Sequence, residues 1–174
     1  MKRSGNNTAN ILRLKKKRRL TMIYAEDLRI GDIVQINKDC MFPKDTLCFV
    51  TEIHPDRQYK DKKGVVSLKA VNDDDDGPWG AWCCNIEGVP VTPEILRNND
   101  FKEEVEGKYF TRPIKARFGS SLARYLVVER KKYAWAIFIK YYNVTGFALL
   151  CHIKYVHELQ LVLKIMTFSP EIKV

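Results

Sequence analysis

The chain has 174 residues, 45% of them hydrophobic and 29% charged, the balance of a globular protein with one ordinary domain or two small ones. No run approaches the roughly 18 apolar residues a membrane helix needs, and no apolar stretch leads into a small-residue cleavage site, so neither a membrane partner nor secretion is expected. The formal charge of +9 points toward nucleic acid until its position is considered.

Residues 1–21 hold eight of the 30 basic side chains and no acid, which leaves a net of +1 on the remainder. The basic signal is therefore a tail: Arg13, Lys15, Lys16, Lys17, Arg18 and Arg19 are its densest part. Three readings of 1–22 compete. It is a nucleic-acid-binding arm that releases counterions from a phosphate backbone, a solvated disordered extension, or a leader translated on paper only, with Met22 as the true start.

Folded structure is expected from Ile23. In DLRIGDIVQIN (27–37), Gly31 and Asp32 mark a turn, and Ile33, Val34 and Ile36 begin a strand. TLCFVTEI (46–53) predicts a second strand, ended by His54, Pro55 and Asp56, and GVVSLKAV (64–71) a third. NDDDDGP (72–78) reads as a loop, and WGAWCCNIE (79–87) as a fourth strand with Trp79 displaced onto the turn. Short strands bounded by turn residues predict a small SH3-like barrel or bent sheet over 23–88.

At 88–101 the pattern changes. Thr92 before Pro93 is a hydroxyl N-cap followed by proline at the first helical position, where its missing N–H is harmless. A short linking helix over 89–101 is expected, stopped at Asn98, Asn99 and Asp100. The stretch 102–174 then reads as a β-meander closed by a terminal helix. KYFTRPIKARF (108–118), interrupted by Pro113, predicts an edge strand, and ARYLVVERK (123–131), YAWAIFIKYY (133–142) and GFALLCHI (146–153) predict three stronger ones. Tyr133, Trp135, Ile137, Ile139 and Tyr141 share one face by the two-residue period, either as the sheet's core face or as a base-stacking row, and the core reading is preferred. The whole is α+β, mainly antiparallel β.

IKYVHELQLVLKI (153–165) repeats its apolar residues at helical spacing: Tyr155, Val156, Leu159, Val162, Leu163 and Met166 fall on one side. His157, Gln160 and Lys164 form a polar stripe opposite, and no Ser, Thr, Asp or Asn caps the start. Leu161 and Ile165 widen the apolar side, so the end of this helix is either deeply buried or meets a partner.

Three motifs, LRIGDIV (28–34), GVPVTPEIL (88–96) and IKYVHELQ (153–160), occur in this order. Together they resemble a family of small uncharacterised proteins encoded by phages, prophages and mobile elements of gut Bacteroidales, across roughly 24–162. The resemblance implies an accessory product acting inside the bacterium and brings no activity with it. Residues 1–21 lie outside it, which favours Met22 as the start. The Leu-Val-Leu-Lys-Ile run after Gln160 and the four-aspartate loop depart from the family's pattern.

Reactive groups form no recognisable cluster. Asp73 to Asp76 lack the alternate spacing and distant glutamate of a calcium loop and read as a solvated acidic turn. Five scattered cysteines (Cys40, Cys48, Cys83, Cys84 and Cys151) without a C-x-x-C predict no zinc site and suit a reducing, cytoplasmic compartment. Cys83 and Cys84, adjacent on a predicted strand, point to opposite faces. None of the three histidines has a predicted thiol or carboxylate partner, Glu103 and Glu104 sit in a polar segment, and no phosphate-binding glycine motif occurs.

The sequence therefore predicts a non-enzymatic module without cofactor or metal that binds an unknown protein partner, with Trp79, Trp82, Leu161 and Ile165 as candidate contacts. The alternative is a nucleic-acid-binding protein using the basic tail and the small barrel.

Overall fold

A computed structural model describes residues 23–38, 40, 42–72, 78–114, 124–141, 145–166 and 168–174. The basic candidates Arg13, Lys15, Lys16, Lys17, Arg18 and Arg19, and the aspartates 73–76, lie outside the described residues. The chain divides at Gly88/Val89 into two compact units. The fold is α+β and mostly antiparallel β; the described residues form two five-stranded sheets and two short helices, one of them near the C-terminus.

The first unit contains β1 (Ile33–Ile36), β2 (Leu47–Tyr59), β3 (Lys62–Ala70), β4 (Trp79–Trp82) and β5 (Ile86–Gly88), in the order β4-β3-β2-β1-β5. All neighbours are antiparallel. Gly31 takes φ +90° in the turn before β1, and the Asp32 carboxylate accepts the Arg29 N–H at 2.8 Å to close it. Val34 and Ile36, Cys48 and Val50, and Val66 and Leu68 alternate inward into one core. Among the described residues β4 and β5 remain the two outer strands, so the sheet is not closed into a barrel.

Two expectations for this unit are corrected. β2 does not stop at His54: it runs on to Tyr59, and Pro55 falls in a register irregularity between His54 and Gln58, where a missing N–H breaks no ladder bond. The segment 79–87 is not one strand. After β4 the chain makes a 3-10 turn, Cys83–Asn85, and β5 leaves to pair with β1 at the far side of the sheet. The Asn37 side chain fixes this break by donating to the Ile86 carbonyl at 3.0 Å, beside its own N–H bond to Asn85. Cys83 and Cys84 therefore sit in that turn, with Cys83 buried.

The second unit opens with α1 (Pro93–Asn98), whose Thr92 hydroxyl accepts the Ile95 N–H at 3.3 Å. β6 (Lys102–Val105), β7 (Tyr109–Ile114), β8 (Arg124–Arg130), β9 (Trp135–Tyr141) and β10 (Phe147–Ile153) form a meander in the order β10-β9-β8-β7-β6. α2 (Val156–Ile165) follows and buries Val156, Leu159, Val162 and Leu163. The sheet's covered face carries Phe110, Leu126, Val128, Trp135 and Ile137, all buried. Phe110 meets Trp135 edge to face at 5.8 Å, and the Trp135 indole N–H donates to the Val91 carbonyl at 2.9 Å. Of the predicted aromatic row, Trp135 and Ile137 are core, Ile139 and Tyr141 are half-buried, and Tyr133 lies outside β9 and is 76% exposed.

β7 is not the edge that Pro113 predicted. It lies between β8 and β6, but pairing with β6 ends at Thr111, so on that side Pro113 faces no neighbouring strand. The edge is β6, a polar segment without strand-like patterning.

The polar stripe of α2 is also reassigned, because His157 and Gln160 are buried. Residues 168–174 lie over that side of the unit: the Gln160 amide donates to the Pro170 carbonyl at 3.2 Å, the Phe168 N–H bonds the Leu163 carbonyl, and Ile172 is buried. His157 stacks on Tyr155 with ring centroids 5.7 Å apart. The missing N-terminal cap is supplied from inside the helix, where the Glu158 carboxylate accepts the N–H groups of Lys154 and Tyr155 at 2.6 and 3.0 Å.

Candidate interaction edge

β10 carries FALLCHI, seven residues with no formal charge apart from a titratable histidine, at the outer edge of the second sheet. It bonds β9 on one side, and among the described residues no strand pairs with the other. Phe147, Leu149 and Leu150 are 51%, 52% and 43% exposed, and Ala148 between them is exposed as well. Both faces of the strand's first half are thus open, as is its backbone edge. A register shift between Leu149 and Cys151 is its one protective irregularity. The opposite edge of the sheet is guarded differently: β6 reads Lys-Glu-Glu-Val and pairs its charges, Lys102 with Glu104 at 3.1 Å and Glu103 with Arg97 at 2.7 Å.

Direct pairing puts Phe147 beside Lys140 and Leu149 beside Phe138 on one face. The Phe138 and Phe147 rings meet edge to face at 5.9 Å, and the Lys140 ammonium lies 5.6 Å from the Phe147 ring. Further into the same face Val127 and Ala136 are fully buried, so the open apolar surface is confined to the rim of the sheet.

The sequence-predicted contacts divide between the units. Trp79 and Trp82 sit on β4, an edge of the first sheet. Trp79 is 39% exposed, whereas Trp82 is half-buried with the Lys62 ammonium 5.9 Å from its ring. On α2, Leu161 is half-buried and Ile165 is 68% exposed. Phe147, Leu149 and Leu150 carry no such contact signal in the sequence, because an apolar run reads as core and only the strand order makes it outermost. Its one sequence signal is the lack of polar alternation through Phe147-Ala148-Leu149-Leu150.

Cys151 and His152 lie on β10 itself, and the other reactive groups lie outside it. Cys83 and Cys84 line a shallow recess of about 80 Å³ with Tyr24, Glu26, Lys62 and Lys63. Burial, helped by the neighbouring Cys84, pushes the Cys83 thiol up to about 11, and burial followed by Cys40 does the same to Cys48. His54 lies 3.3 Å from the Glu52 carboxylate on β2, where hydrogen bonds from Ser67 and His54 hold that carboxyl below its usual range. Glu103 and Glu104 are likewise held low, mainly by Arg97 and by Lys102 respectively, the opposite of what a general acid requires. Among the described residues no three His, Cys, Asp or Glu side chains gather in a metal-holding group, and no helix is long and apolar enough to cross a membrane.

No protein family, no curated protein and no solved structure matches the chain.

Proposed function

We propose that this chain is a non-enzymatic protein-binding module that takes an extended segment of another polypeptide onto the free edge of β10. The observation carrying this reading is an uncharged edge strand whose first four residues are all exposed. Natural edge strands are kept from pairing by charge, proline or cover, and β10 has only its bulge. Strand addition uses such an edge: backbone groups supply affinity, and alternate side chains supply selectivity. Phe147 and Leu149 offer the apolar anchors. The resemblance to mobile-element proteins supplies the setting for this reading, an accessory protein working within a bacterial cell.

Ala148→Lys tests the edge. Ala148 pairs with Ile139, so its side chain points to the sheet face opposite Phe147 and Leu149 and is exposed in the free chain. An added strand would cover a lysine there, while the isolated chain leaves it in water. A protein cross-linked to the wild type in its host and lost from Ala148→Lys, with Tm unchanged within a few degrees, supports the reading. Equal recovery by both forms contradicts it. Trp79→Ala with Trp82→Ala, tested alongside, asks whether β4 contributes a second contact.

A further inference from the structure

Charge is distributed unequally between the two units. From 23 to 88 there are 8 basic against 13 acidic side chains, a net of −5, and from 89 to 174 there are 14 against 8, a net of +6. β10 belongs to the basic unit and is bracketed by cations: Lys140 stands across the ladder from Phe147, and Lys154 follows Ile153 directly. Both lysines are exposed, and the carboxylates in reach of them are engaged elsewhere: Glu104, which feels Lys140, is paired with Lys102 and accepts from Thr111, and Glu158 is bound to the Lys154 and Tyr155 N–H groups.

Resting on the reading of β10 as a docking edge, we infer that its occupant is an acidic-flanked extended segment of another protein, with an apolar centre against Phe147 and Leu149 and carboxylates toward Lys140 and Lys154. A second copy of this chain fits less well. Antiparallel pairing of two β10 strands would bring together two units of net +6 and set the lysine-flanked ends toward each other. Single-stranded nucleic acid also fits less well. A base-stacking platform needs open aromatic rings in mid-sheet, whereas here Val127 and Ala136 are fully buried and Lys131 is paired with Glu129 at 2.6 Å.

The test uses the full chain and labelled synthetic peptides with an alternating Val/Thr centre, one flanked by paired aspartates and one by paired lysines. The aspartate peptide is expected to bind about tenfold more tightly at 50 mM than at 500 mM salt and to slow amide exchange in β10. Ala148→Lys adds positive charge, so a purely ionic attraction would strengthen, whereas strand addition is lost. Equal binding of both peptides overturns the acidic preference and leaves the edge reading standing. No binding of either peptide, with β10 exchange unchanged, overturns both. Concentration-dependent dimerisation that protects β10 without peptide assigns the edge to a second copy, and salt-sensitive binding of an oligothymidylate that Ala148→Lys strengthens assigns the cations to nucleic acid. Each of these last two outcomes overturns the inference.

Discussion

The Asn99 carboxamide grips the backbone of Lys173 from both sides: its Nδ2 donates to the Lys173 carbonyl and its Oδ1 accepts the Lys173 N–H, each at 2.9 Å. The same Nδ2 donates to the Ile95 carbonyl at 2.7 Å, so one buried side chain ends α1 and holds residues 168–174 in place. Asn99→Ala removes one buried and two part-buried hydrogen bonds and should lower stability by about 2–3 kcal/mol, read from urea unfolding. Asn99→Asp keeps an acceptor for the Lys173 N–H but loses both donated bonds, and it should recover little of the loss.

The Glu158 carboxylate closes the start of α2, accepting the N–H of Tyr155 at the N-cap and that of Lys154 just before it. Glu158→Ala should destabilise the chain by about 1 kcal/mol, and Glu158→Gln, which retains an acceptor oxygen, by less. Thermal unfolding of the pair separates loss of the cap from loss of charge.

Gly64 combines two constraints. Its φ is +76°, and a Cβ there would lie 3.0 Å from the Ala25 Cβ and 3.1 Å from the Cys83 sulfur. Gly64→Ala therefore meets both backbone strain and crowding, with an expected loss of about 1–3 kcal/mol in denaturant unfolding. Gly107, also at positive φ but with open space around it, should lose less on the same substitution.

The thiols should separate by reactivity. Cys40 is exposed, while Cys48 and Cys83 are buried and pushed up to about 11, so both remain protonated at neutral pH. Titration of the folded chain with a thiol reagent at pH 7.5 should modify Cys40 early and leave Cys48 and Cys83 silent until denaturant is added. Fast modification of Cys83 would indicate that the recess around it opens in solution.

The Arg97–Glu103 pair gives a pH dependence with a fixed sign. Arg97, then the Gly107 N–H, holds the Glu103 carboxyl below the usual range in the folded chain. Its stabilising effect is complete above the unfolded carboxylate pKa and disappears as pH falls through the depressed folded value. The stability difference between wild type and Glu103→Gln should accordingly be larger at pH 7 than at pH 3, and it should shrink with added salt, since the pair is at the surface.

Much of the fold is legible in local patterning, and the exceptions share a cause. Thr92 and Pro93 declare α1, and alternation through Val34, Ile36, Val66 and Leu68 declares the first sheet, because each signal is complete within a few residues. What local reading misses depends on distant partners. Pro55 reads as a strand end but is absorbed by a bulge whose far side is β3, and Lys102–Val105 lacks apolar alternation yet pairs with β7. His157 and Gln160 read as a solvent-facing stripe, but both are buried, and Gln160 meets the Pro170 carbonyl, well beyond one helical turn. The candidate edge was hidden in the same way. Phe147, Leu149 and Leu150 have core chemistry, and only the order of five strands leaves them uncovered.

The clasp between Asn99 and Lys173 also constrains how this chain matures. Asn99 leaves the ribosome 74 residues before its Lys173 partner does, so throughout that interval the C-terminal side of α1 waits unfinished, and Gln160 in turn precedes its Pro170 carbonyl by 10 residues. The second unit therefore completes its fold only after synthesis has passed Lys173, and the nascent meander must stay safe from wrong pairing until then. A ribosome stalled shortly before that point should display a protease-sensitive second unit beside an already protected first one.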